Sequence, residues 1–99
     1  MSAAIIEAFP PGRSHLADQM NRAAVSITLN IAEGAGEFSK AEKARFYRMA
    51  KRSGTECAAV LDICRVLQIT TALLLIEARD ILIKIVSMLI KLIRSFEMT

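Results

Sequence analysis

Residues Arg22–Gly34 read RAAVSITLNIAEG. Laid out at about 100° per residue, Ala23, Ile27 and Ile31 fall on one stripe, which Leu16 and Met20 extend upstream. Beside it runs a second line, Gln19, Arg22, Ser26, Asn30 and Glu33, at spacings of three, four, four and three. The stretch therefore predicts an amphipathic helix with a polar ridge along the margin of its buried face. Buried polar groups are costly when unpaired. The ridge is thus read as a helix-positioning network, with a ligand or catalytic site as the other reading. Ser53 and Glu56 belong to the same network, and Arg22 is expected to be held by a carboxylate, first Glu56 and second Glu33.

Working outward, the helix is expected from about residue 14, with Ser14 as its cap, to residue 33, with Gly34 closing it. Ser39-Lys40-Ala41-Glu42 fits a capping box, so a second helix should run over about 39–67. Thr70 or Thr71 caps a third, over about 72–96. Upstream, residues 3–8 have room for about two helical turns before Pro10-Pro11-Gly12 stops them. The second helix carries a heptad seam, Phe46, Ala50, Ser53, Cys57, Val60, Cys64 and Leu67, and the third repeats it with Leu74, Ala78, Ile81, Ile85, Met88 and Leu92. Such seams predict near-antiparallel packing at about 20°. The third helix is apolar beyond its seam, leaving only a thin polar strip of Glu77, Asp80, Lys84, Ser87, Lys91 and Arg94. A helix apolar nearly all round must be buried nearly all round. A second subunit is expected to cover what one chain of this size cannot, through Ile83, Val86, Ile90 and Ile93.

Bulk properties agree. Ninety-nine residues, of which 54% are hydrophobic but only 5% aromatic, make a single helical domain over residues 1–99 and exclude disorder. The longest unbroken apolar run, ALLLI, is far short of the roughly 20 residues of a membrane span. MSAAIIEAFPPG has neither the basic start nor the apolar length of a signal peptide. Cys57 and Cys64, seven apart, have neither metal-knuckle spacing nor that of a disulfide framework. They read as packed, reduced thiols, which suits the cytoplasm.

At the polar ridge the chain resembles a known family. Phe9-Pro10, Leu16, Gln19, Arg22-Ala23, Ser26-Ile27, Asn30 to Gly34, and then Ser39, Phe46, Ala50, Ser53 and Glu56 match the four helix bundle proteins first noticed in bacterial 23S ribosomal RNA intervening sequences. The resemblance covers residues 9–67 by motif and the rest by helix pattern. It implies an all-α, up-down four-helix bundle assembling as a homo-oligomeric ring, commonly a pentamer. The accessory variability determinant proteins of diversity-generating retroelements are similar, and bind a reverse transcriptase and RNA through a basic surface. This chain departs from the pattern twice. The long first helix is reduced to about residues 3–8, leaving three long helices and a groove to be covered. Arg52-Ser53-Gly54 stands where the family has Gly-Ser and an apolar residue, and a glycine inside a helix costs up to about 1 kcal/mol against alanine.

Charge is concentrated between Lys40 and Arg52, where six basic residues face one acid, Glu42. All but Lys43 (Lys40, Arg45, Arg48, Lys51, Arg52) share one arc opposite the Phe46-Ala50-Ser53 seam. Such a stripe is the electrostatic footprint of a partner with a phosphate backbone, or else a solvated face that keeps an apolar oligomer soluble. Tyr47 adjoins it without an aromatic ladder, which argues against sequence-specific single-strand reading. No catalytic constellation is apparent. His15 has no partner at ligand spacing, no base or nucleophile elbow accompanies Ser26 or Ser53, the Glu-x-x-His pairs of di-iron bundles are missing, and no glycine loop for phosphates is present. The expectation is a scaffold without catalysis, metal, cofactor or small-molecule substrate. It would bind RNA or DNA, or a reverse transcriptase-like enzyme. The alternative is a structural ring that recruits protein.

Overall fold

The computed structural model describes residues 11–69 and 71–97, so the expected segment at residues 3–8 lies outside the described residues. A 3-10 turn, Pro11–Arg13, leads into three helices: α1 (Ser14–Gly36), α2 (Lys40–Leu67) and α3 (Ala72–Glu97). No strand occurs among the described residues. The central helix is α2. Both α1 and α3 pack along it, but no Cα of α1 lies within 8 Å of one of α3. The two outer helices meet only through side chains, in a core built from Met20, Ala23 and Ile27 of α1, Cys57, Leu61 and Cys64 of α2, and Leu75, Ala78 and Leu82 of α3. A smaller cluster of Tyr47, Ala50, Leu89 and Ile93 continues the core toward the other end.

Local chemistry sets the ends of the helices. Ser39 Oγ accepts from the Glu42 backbone N–H at 3.3 Å and caps α2. The reciprocal half of the box is not made, because Glu42 turns its carboxylate to Arg45. Thr71 caps α3, its Oγ1 accepting from Leu74 N–H at 3.3 Å. Ser14 does not cap α1: it is the first helical residue, and Arg13 before it makes no side-chain cap bond. At the end of α2, Gln68 is left-handed (φ 54°). Its N–H donates to Arg65 O at 3.3 Å and that of Ile69 to Cys64 O at 3.1 Å, a Schellman closure. Glycine adopts that conformation without the penalty of a Cβ. Gln68→Gly, at an exposed site, is therefore expected to raise stability by up to about 1 kcal/mol, read as a higher urea midpoint at unchanged slope.

Gly34 is not a terminator. The helix continues to Gly36, and no described glycine has positive φ. The reason for a glycine there is contact: a Cβ on Gly34 would lie 2.8 Å from Tyr47 Cε1. Tyr47, only 6% exposed, replaces Phe46 as the core aromatic at this end and stacks on Phe96 with ring centroids 5.8 Å apart. Phe46 is half-buried, and Leu67 at the far end of the expected seam is exposed. Lys43 completes the corner. Its Nζ donates to Gly34 O and Ala35 O, each at 3.2 Å, placing a cation on the carbonyl end of α1. Gly54 has a similar explanation, since a Cβ there would meet Val86 Cγ2 at 3.0 Å. It lets α3 approach α2.

The seam of α3 is turned from the expected one. Leu75, Ala78, Leu82, Leu89 and Ile93 are buried, whereas Ile81 and Met88 are exposed and Leu74, Ile85 and Leu92 half-buried. Two ion pairs mark the edge of α3 that lies against α2: Arg79 with Asp62, at 2.7 Å, and Glu97 with Arg48. This rotation also revises the apolar residues assigned to a subunit contact. Ile93 is core, 6% exposed. Val86 packs over Gly54, Ile90 is half-buried, and only Ile83 is exposed.

Candidate nucleic-acid interface

Because α1 and α3 occupy adjacent faces of α2, the remaining face looks outward, except near its start, where Ala44 is buried and Phe96 and Glu97 of α3 border it. Helical spacing puts Arg48 and Arg52 near the middle of that face. Arg45 lies toward α1, and Lys40 and Lys51 toward α3, all within an arc of about 140°. Lys40 to Arg52 covers about 18 Å of helix axis. Lys40, Arg45, Arg48 and Arg52 are exposed and Lys51 is half-buried.

These five cations are not equally available. Arg45 donates to Glu42 from both Nε and Nη2, the latter at 2.9 Å, and its guanidinium carbon lies 4.4 Å from the centroid of the Phe46 ring. That hydrogen bonding holds the Glu42 carboxyl below its ordinary pKa and the Arg45 guanidinium above its own. Arg48 pairs with Glu97. Lys40, Lys51 and Arg52 have no carboxylate partner among the described residues. Glu42 could be anticipated as a partner, three residues before Arg45. Glu97, 49 residues from Arg48, gives no such local signal. Exposed pairs contribute little stability, so a phosphate can compete for Arg45 and Arg48, against a carboxylate already in place.

The polar ridge divides into two parts. Its middle is a directed hydrogen-bond chain. Asn30 Nδ2 donates to Ser26 Oγ at 3.1 Å and to Ser26 O at 2.9 Å, Ser26 Oγ lies 2.7 Å from Ser53 Oγ, and Ser53 Oγ donates to Met49 O at 3.2 Å. Since the Ser53 proton is directed to Met49, the Ser26 hydroxyl is the donor between the two serines. Buried Ser53 is thereby satisfied, and α1 is registered against α2. The rest of the ridge is not part of this chain. Gln19, Arg22, Glu33 and Glu56 are exposed, and among the described residues Arg22 pairs with neither Glu56 nor Glu33. The expected buried ion pair is absent because this edge of the α1–α2 contact stays open to water, where a guanidinium needs no partner. Gln19, Arg22 and Glu56 instead rim a shallow cleft of about 300 Å³ floored by Ala59, Val60 and Ile63.

Nothing in the described part assembles other chemistry. His15 is exposed, and no group of three or more His, Cys, Asp or Glu residues there is placed to hold a metal. Cys57 and Cys64 are free and buried. Desolvation pushes both thiols up, and the charge of Glu56 adds to the effect at Cys57. Seven helical residues separate them by about 10 Å, beyond disulfide reach. No described helix is long and apolar enough to cross a membrane.

Comparison with known proteins gives one finding. The family model described as 23S rRNA-intervening sequence protein matches residues 3–91. No curated protein and no solved structure matched the chain. A match that takes in the whole of α1 and α2 and most of α3 assigns the family, and the chain belongs to that of the 23S rRNA-intervening sequence protein.

Proposed function

We propose that this protein is a non-catalytic, homo-oligomeric helical scaffold that holds a phosphate backbone, RNA or DNA, on the outer face of α2. One observation carries the reading. Five cations line a single helical face directed away from the core, and three of them, Lys40, Lys51 and Arg52, have no carboxylate partner among the described residues. Point charges along a helix bind phosphates with little regard to sequence, and repetition in an oligomer multiplies weak contacts. The family description, which names a ribosomal RNA intervening sequence, agrees with an association with nucleic acid. Homo-oligomerisation is supported by the apolar side chains that α3 leaves in water, Leu73, Ile76, Ile81, Ile83 and Met88, more than a lone soluble domain usually exposes on one helix.

Charge reversal tests the reading. Lys51→Glu combined with Arg52→Glu is expected to abolish the low-salt gel shift of RNA and duplex DNA while leaving the thermal melt unchanged, because neither side chain joins the core. Arg48→Glu is a poorer probe, since it also sets two carboxylates together at Glu97. Binding undiminished by the double reversal would reject this face as the interface.

A further inference from the structure

The first turns of α2 and the last turn of α3 border a cleft of about 380 Å³, at the small end of the roughly 300–1,000 Å³ of small-molecule sites. Lys40, Ala41, Ala44 and Arg48 form one wall, and Phe96 and Glu97 the other. Two kinds of chemistry meet there. Lys40 is exposed and has no carboxylate partner among the described residues, and Arg48 is paired with Glu97. Beside these charges lies apolar surface, the methyls of Ala41 and Ala44 and the half-buried ring of Phe96. The ring is fixed in place. It stacks on buried Tyr47, with centroids 5.8 Å apart and planes 21° from parallel, and Lys43 Nζ stands 6.0 Å from its centroid. A ring already held beside two cations costs little ordering when a ligand arrives.

What fits such a cleft is a phosphate joined by a short link to a flat apolar group. The phosphate is matched by Lys40 and by Arg48, whose exposed pair with Glu97 is weak enough to be exchanged for it. The flat group is matched by Phe96, since an aromatic ring packs on the π-face of any base. The cations do not stop at the cleft: Lys51 and Arg52 continue them along α2, with about 6 Å of helix axis from Arg48 to Arg52. The ligand is therefore one unit of a chain of phosphates rather than a lone phosphorylated molecule. In a duplex the bases are paired and stacked on one another, and only the backbone can reach Phe96. An unpaired base can enter.

We infer that this cleft holds one unpaired nucleotide of an RNA or DNA strand, its phosphate on Lys40 and Arg48 and its base against Phe96. The inference rests on the phosphate-binding face proposed above and adds to it a means of holding single strands by their bases. One ring without a ladder touches one base, so it favours no sequence.

Fluorescence anisotropy at low salt tests it with two labelled DNA strands of equal length, one of mixed bases unable to pair and one built wholly of abasic residues. The two carry the same phosphates and differ only in their bases. The wild type is expected to bind the intact strand about fivefold or more tighter than the abasic one, as a single base–aromatic stack provides. Phe96→Leu, which keeps an apolar side chain against Tyr47, is expected to bring that ratio close to one. Ala41→Leu fills the cleft from an exposed helical site and should do the same, so the test stands even if circular dichroism shows that Phe96→Leu fails to fold. Equal affinities of the wild type for the two strands, or a ratio that survives in either folded variant, would overturn the inference and leave the phosphate-binding face standing. Failure to bind either strand while duplex DNA is bound would do the same. No binding of single strands or of duplex would reject that face itself, and the inference with it.

Discussion

Leu61→Ala is expected to lower the unfolding free energy by about 2–5 kcal/mol, the range for truncating a fully buried leucine. Leu61 is 1% exposed and belongs to the cluster to which all three helices contribute. The two outer helices share no backbone contact of their own, so this side-chain cluster is what joins them, and a loss within that range is expected. Marginal stability of roughly 5–15 kcal/mol for a domain makes the effect easy to read as a fall in the urea midpoint. Val66→Ala, on the same helix but 70% exposed, should move stability by no more than about 0.5 kcal/mol. Comparable losses at both positions would contradict a core centred on α2.

Gly34→Ala should cost about 1–3 kcal/mol, because the new methyl enters the Tyr47 ring at 2.8 Å and overpacking on this scale displaces a buried aromatic. The sign should reverse once the ring is removed. In a Tyr47→Ala background the clash is gone, and alanine within a helix gains up to about 1 kcal/mol over glycine. Gly34→Ala should then stabilise. The difference between the two backgrounds, measured as a double-mutant cycle, isolates the Gly34–Tyr47 contact. A cost that persists without the ring would mean that Gly34 is required for its backbone, as the terminator expected from sequence.

That contrast shows where sequence reading reached its limit. Three long helices, the Ser39 and Thr71 caps, and the buried row Ser53, Cys57, Val60 and Cys64 were legible, because periodicity and capping are local signals. So was a link between Ser26, Asn30 and Ser53. The rotation of α3 was not legible. A helix apolar on several sides offers several equivalent seams, and the contacts that seat this one, Val86 over Gly54 and Phe96 on Tyr47, act across 32 and 49 residues. The surroundings of Arg22 are not legible for a related reason: a residue at the margin of an apolar stripe is buried or wet according to how closely the neighbouring helix approaches. Gly34 fits a cap by spacing alone, and only its contact with Tyr47 reveals the other cause. Within the basic arc, the directions of the five cations were legible, but the engagement of Arg48 by a distant carboxylate was not.

The phosphate-binding account is tested most directly by the salt dependence of affinity for a labelled DNA duplex, followed by fluorescence anisotropy from low to physiological ionic strength. Neutralising phosphates releases condensed counterions, so log K should fall linearly with log salt, at about −0.9 per phosphate contacted. Engagement of Lys40, Lys51 and Arg52 predicts a slope of about −2.7 per bound subunit, steeper where Arg45 and Arg48 exchange their carboxylates for phosphate. No binding at low salt up to tens of micromolar protein, or an affinity independent of salt, would contradict the account.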